Sequence, residues 1–132
     1  MSAIESARAA REAGVQLEVV VLEATSKCMS KVKISGGGRC NVMHNELKTA
    51  KEISDGYPRG KKPLLGPFSR FGPPETAKWF RAEGVQLKTE SDGRMFPITD
   101  SSQTVIDALQ AAADSAGVVV RTNVRVEGME LC

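Results

Sequence analysis

The residues best equipped for chemistry lie in one run, Ser35-Gly36-Gly37-Gly38-Arg39-Cys40-Asn41. Three consecutive glycines let the backbone enter the positive-φ region and turn several N–H groups inward, the geometry of an anion-binding nest. Arg39 adds a rigid planar fork matched to phosphate, and Ser35 and Asn41 add neutral hydrogen-bonding groups. Local charge agrees, since no Asp or Glu occurs from Ala24 to Asn45 while Lys27, Lys31, Lys33 and Arg39 fall inside. The same composition also suits a flexible, solvated basic linker, because glycine-rich runs are common and unspecific. A second candidate is Glu23, directly after the apolar run Val19–Leu22. A carboxylate at the end of a buried strand can accept hydrogen bonds from both hydroxyls of an adenosine ribose. An ordinary strand-end acid at the surface is the competing reading.

Other candidates are weaker. Gly56-Tyr57-Pro58-Arg59-Gly60-Lys61-Lys62 has the outline of a Walker A loop, but it has three residues between its glycines and ends in Lys. The phosphate loop needs about four there, a terminal Ser or Thr, and a preceding strand. An exposed basic loop is expected instead. Cys40 beside Arg39 could be reactive, yet no histidine stands in a catalytic pattern with it, and a structural role is favoured. Cys28, Cys40 and Cys132 are odd in number and form no C-x-x-C. Reduced thiols in an intracellular, cytoplasmic setting are the default. A zinc site takes about four ligands. The sole histidine, His44, lies four residues after Cys40 with no matching pair elsewhere, so no metal is expected and His44 reads as a surface residue.

These groups need a scaffold, and the composition permits one. Of 132 residues, 41% are hydrophobic and 26% charged, the mix of a folded domain and not of a disordered chain. The longest apolar run, Val19–Leu22, is far too short to cross a bilayer, and no secretory leader is visible after Met1. A net charge of +2 gives no argument for a nucleic-acid partner.

The clearest organisation is a unit of helix, glycine stop and strand, used three times. The first is Ala3–Ala13, Gly14 and Val15–Leu22, with Ala3, Ile4, Ala7 and Ala10 at helical spacing. Its valine-rich end predicts a strand covered on both faces. The second opens at Gly72-Pro73-Pro74-Glu75, stops at Gly84 and continues as the half-exposed strand Val85–Thr89, with Arg94-Met95-Phe96 after a turn at Gly93. In the third, Asp100 and Gln103 resemble a capping box before the stripe Val105, Ile106, Leu109, Ala112, Ala113 and Ala116. Gly117 then stops the helix, Val118–Arg121 is a strand, and Val124–Val126 and Met129–Leu131 are extended. The word Gly-Val-Gln-Leu stands at 14–17 and again at 84–87. Between the first two units, roughly Ala24 to Phe71, the chain reads as irregular, and long loops of this kind are usually functional or disordered. Helix–strand alternation with such a loop after a buried strand predicts α/β architecture.

At Lys31-Val32-Lys33-Ile34-Ser35-Gly36-Gly37-Gly38-Arg39-Cys40-Asn41-Val42 the chain resembles the HI0933-like flavoproteins, a family of NAD(P)/FAD-dependent oxidoreductases of the aminoacetone-oxidase or bile-acid-reductase type. The similarity continues through Phe71–Thr76, Trp79-Phe80, Gly84-Val85, Gly93–Pro97, Asp100, Val105–Leu109 and Asn123–Val126. It implies a Rossmann-like FAD-binding domain of the two-dinucleotide-binding type over residues 1–132. Segment 1–23 would supply a helix and the second strand, 24–71 the cofactor loop region, and 72–132 the helix–strand units. By the same resemblance Glu23 would bind the adenosine ribose, and Lys31 with Ser35–Asn41 would line pyrophosphate and flavin. The backbone of Val126 would meet the adenine edge. Where the family has Gly-Arg-Lys, this chain has Met29-Ser30-Lys31. The family's first strand and G-x-G-x-x-G turn do not precede the first helix here, so a fragment is expected. Such a fragment should be inactive alone, hold FAD weakly, and self-associate through an uncovered sheet edge.

The resulting expectation is part of an oxidoreductase in which NAD(P)H reduces FAD and the flavin acts on a small organic substrate. A non-catalytic nucleotide- or anion-binding module, or an inactive truncated product, is the alternative. No catalytic acid or base is identified.

Overall fold

The computed structural model describes residues 1–45 and 47–130. In chain order its elements are helix α1 (Ser2–Glu12), strand β1 (Val20–Leu22), helix α2 (Ser30–Ile34), a short turn of 3₁₀ type (Ser35–Gly38) and strand β2 (Met43–His44). Helices α3 (Ala50–Asp55), α4 (Lys61–Arg70) and α5 (Pro73–Ala82) follow, then strands β3 (Leu87–Thr89) and β4 (Arg94–Pro97), helix α6 (Ser102–Ala116) and strand β5 (Val119–Arg121). The chain forms two compact units: Met1–Lys31 together with the chain from Leu109 onward, and the continuous stretch Val32–Ala108.

In the first unit β1 and β5 pair in parallel, with Val20, Val21 and Leu22 opposite Val119, Val120 and Arg121. Helix α1 buries Ile4 and Ala7, and Arg11 donates to the carbonyls of Ser115 and Ala116, both at 3.3 Å. The strand expected over Val15–Leu22 is confined to its last three residues, because a strand needs a partner and β5 offers three register positions. Nor is it covered on both faces among the described residues. Val20 and Leu22 are exposed, as are Val119 and Val120.

The second unit contains the antiparallel sheet β2-β4-β3, with Met43 opposite Met95 and Lys88 opposite Phe96. Helix α5 packs on this sheet, and Ala77, Trp79, Phe80, Val85, Met95, Phe96 and Val105 are buried. Trp79 and Phe80 meet edge to face, their centroids 5.1 Å apart. At the start of α5 the Glu75 carboxylate accepts the Gly72 N–H at 2.9 Å, and this bond, with one from its own backbone N–H, holds it below the usual carboxylate range.

All three glycine stops close in the same way. Gly14, Gly84 and Gly117 have φ of +67°, +83° and +77°. After each, the next residue donates to the carbonyl five positions back: Val15 to Ala10, Val85 to Phe80, and Val118 to Ala113. With the glycine N–H bonds to Arg11, Arg81 and Asp114, these are Schellman closures. The repeated word Gly-Val-Gln-Leu is thus one backbone solution in two surroundings, since Val85 is buried and Val15 exposed.

Three expectations are corrected. The 24–71 stretch is not irregular, for it holds α2, α3, α4 and β2. The signal for α3 was present as a full capping box, Thr49 with Glu52. Helix α4 forms across Pro63, Gly66 and Pro67 while packing on α3, where Tyr57 and Phe68 approach to 5.6 Å. The basic stretch 56–62 is therefore a turn whose Lys61 opens α4. The start of α6 is held by Ser101, whose hydroxyl accepts the Gln103 N–H at 3.3 Å. Asp100 instead has φ +52° and turns its carboxylate to Lys88 and Arg39. Beyond β5, the described residues from Val124 to Glu130 form no strand; Leu131 and Cys132 lie outside the described residues.

Candidate functional site

The glycine run folds as a left-handed turn. Gly36, Gly37 and Gly38 have φ of +56°, +68° and +85°, and Cys40 follows at +61°. The Cys40 N–H closes the loop onto the Ser35 carbonyl at 3.0 Å. The Ser35 hydroxyl donates back to Val32 at 2.8 Å, so its proton is committed to the scaffold. At Gly36 a Cβ would lie 2.8 Å from the Asn41 nitrogen and 2.9 Å from Phe96 Cε1, whereas a Cβ at Gly37 or Gly38 would enter open space. The turn therefore has a packed side at Gly36 and an open side at Gly37 and Gly38. Its far end is anchored by Asn41, whose amide nitrogen donates to the carbonyls of Met43 at 2.8 Å and Met95 at 3.2 Å. Cys40 is buried beneath, a free thiol in a packing role.

Arg39 is the best-anchored cation of the loop. Its guanidinium lies over the Phe96 ring, 3.8 Å from the centroid. Nη1 donates to Glu90 at 2.6 Å and to Asp100 at 3.5 Å. The acid-free neighbourhood is thus a property of the local sequence only, because β3–β4 and the start of α6 return two carboxylates to it. The hydrogen bond to Glu90 raises the Arg39 pKa. The bond from Lys88, assisted by Arg39, keeps the Asp100 carboxyl below its ordinary range.

Glu23 occupies the carboxyl end of β1 in the first unit. Its N–H donates to Arg121 and its carbonyl accepts from Val124, both at 2.9 Å, which holds 123–124 beside 23–25. Oε1 accepts the Thr25 N–H at 2.8 Å and the Thr25 hydroxyl at 2.7 Å. These bonds hold the carboxyl below its usual range, so it is ionised at neutral pH. Oε2 has no hydrogen bond among the described residues. Ligands of open parallel sheets bind outside the carboxyl ends of the strands, and there stand an anionic acceptor and the exposed Val124.

The chain matches the HI0933-like protein Rossmann domain over residues 1–131. It belongs to the HI0933-like family, a family of flavoprotein oxidoreductases. Among curated relatives it is similar to a 3-dehydro-bile acid delta(4,6)-reductase of Clostridium scindens, 29% identical over 130 residues. That alignment covers 98% of this chain and 31% of the relative, so the chain spans about a third of that protein's length.

In this HI0933-like chain the candidate residues fall on two units. Glu23, the exposed Lys31 and the exposed Val126 belong to the first, and Ser35–Asn41 to the second. Sequence reasoning missed Glu90, Asp100 and Phe96 as partners of Arg39, since separations of 51 and 61 residues to the two acids leave no local signal. His44 is half-buried, not a surface residue, and its ring fills the space where a Cβ of Gly93 would stand, 2.6 Å from Cε1. An open groove of 620 Å³ in the first unit, lined by residues such as Ala7, Arg11, Leu17 and Gly117, holds none of the candidate residues. Among the described residues no three His, Cys, Asp or Glu side chains are grouped to hold a metal, and no helix is long and apolar enough to cross a membrane.

Proposed function

We propose that this chain is part of the FAD-binding domain of an oxidoreductase that takes electrons from NAD(P)H and delivers them through the flavin to a small organic substrate. The observation that carries this reading is Glu23. It is an ionised carboxylate with one unbonded oxygen at the carboxyl end of a parallel strand, beside the 123–124 backbone. In this reading Glu23 accepts the ribose hydroxyls, and the backbone of Val126 meets the adenine edge. Lys31 and the Ser35–Asn41 turn serve the pyrophosphate and flavin. The residues fit that group, since Gly37 and Gly38 leave open space against which a ligand can approach the backbone. When bound, the flavin supplies the electron chemistry, and the protein supplies position and charge.

Glu23→Ala is expected to weaken FAD binding by about tenfold or more, the worth of a hydrogen bond to a charged group. FMN, which lacks the adenosine half, should bind both proteins alike. Titrating each protein with both flavins is the test. Equal losses for FAD and FMN, or no loss for either, would return Glu23 to an ordinary surface acid held by Thr25.

A further inference from the structure

An arginine on a glycine-rich turn would ordinarily sweep a wide arc, because its long side chain has many rotamers. Arg39 does not. Its plane is set by the face of Phe96, 3.8 Å from the guanidinium carbon, and Phe96 is itself fully buried in β4. Rotation within that plane is stopped at one nitrogen, Nη1, by Glu90 at 2.6 Å, with Asp100 behind it at 3.5 Å. Glu90 is in turn a fixed point. Its N–H donates to Arg94 at 2.8 Å and its carbonyl accepts from Gly93 at 2.9 Å, so it is built into the turn between β3 and β4. Its second oxygen faces Arg94 at 3.6 Å.

Both carboxylates use the same guanidinium nitrogen. Nε and Nη2 have no hydrogen bond among the described residues, and together they form the side of arginine that grips two oxygens of one oxyanion. We infer that Glu90 is a positioning residue for Arg39, locking Nη1 so that the Nε–Nη2 edge is held ready as a two-pronged donor to a phosphate-type oxyanion. This rests on the reading above that the Ser35–Asn41 turn serves the FAD pyrophosphate. Preorganisation is the gain, since an arginine already oriented loses less freedom on binding. Asp100 gives a weaker, more distant stop and is shared with Lys88. Arg94, also close to Phe96 at 5.5 Å, offsets the charge of Glu90 and Asp92, so the cluster carries no large excess of negative charge against a bound anion.

The test is a double-mutant cycle on the FAD dissociation constant, with Arg39→Ala, Glu90→Gln and the double variant. Arg39→Ala should weaken binding by about tenfold or more, and Glu90→Gln by about three- to tenfold. In the Arg39→Ala background, Glu90→Gln should add less than about twofold, because a residue that acts only through Arg39 has nothing left to orient. Arg39→Lys should lose about as much as Arg39→Ala, since a point charge cannot replace the fork. If Arg39→Ala leaves FAD binding unchanged, the reading of the turn as a cofactor site fails. If Arg39→Ala weakens binding and Glu90→Gln does not, or if the two losses multiply in the double variant, the positioning role is overturned while the turn's assignment stands. Should Glu90→Gln fail to fold, Glu90→Asp serves the same cycle, because it keeps the charge and withdraws it by one methylene.

Discussion

Phe96→Ala should cost the second unit about 3–5 kcal/mol of unfolding free energy, the range for truncating a buried aromatic side chain. Phe96 is fully buried and meets more than the apolar core. Its ring edge lies against Gly36, and its face carries Arg39. Truncation therefore opens a cavity in β4 and removes the floor of the glycine turn together. With natural domains stable by about 5–15 kcal/mol, a loss of this size consumes much of the margin. A urea titration of the variant beside the unsubstituted protein reads it directly. A midpoint shift equivalent to less than about 1 kcal/mol would mean that Phe96 does not organise this unit.

The second large effect falls on a ligand and leaves the fold nearly untouched. Arg39→Ala is expected to weaken FAD binding by roughly ten- to a hundredfold, as for a hydrogen bond to a charged group. Its stability cost should be small beside that of Phe96→Ala, because its ion pairs with Glu90 and Asp100 are partly solvated and the two acids keep Arg94 and Lys88. Affinity and stability thus separate between Arg39 and Phe96, although the two side chains are stacked. An unchanged FAD dissociation constant in Arg39→Ala would remove this residue from the site.

What could be read from the residues alone was local. Helices α1, α5 and α6 each carry a stripe of apolar residues and a glycine stop, and each stop adopts the left-handed closure that glycine favours. The glycine turn was equally legible, because three adjacent glycines admit positive φ without the steric cost a Cβ would bring. The failures share a cause at longer range. Two prolines and a glycine in α4 argue against a helix by propensity, and packing on α3 overrides them. Asp100 had the spacing of a cap, but its carboxylate pairs with Lys88, and Ser101 supplies the backbone bond instead. The apolar run at Val19–Leu22 did indicate a strand. What covers its faces depends on residues distant in the chain, and a run of valines carries no record of them.

The division into units also sets an order of assembly during synthesis. The second unit is one continuous stretch, Val32–Ala108, so every contact within it becomes available before Leu109 leaves the ribosome. The first unit cannot follow that schedule. Val20 must wait for Val119, roughly a hundred positions later, before β1 acquires the partner that makes it a strand. Until then Val20, Val21 and Leu22 lack their β5 neighbours. A translational pause after Ala108 would lengthen the interval in which Val20, Val21 and Leu22 wait for β5, while the Ser35–Asn41 turn of the second unit is already closed.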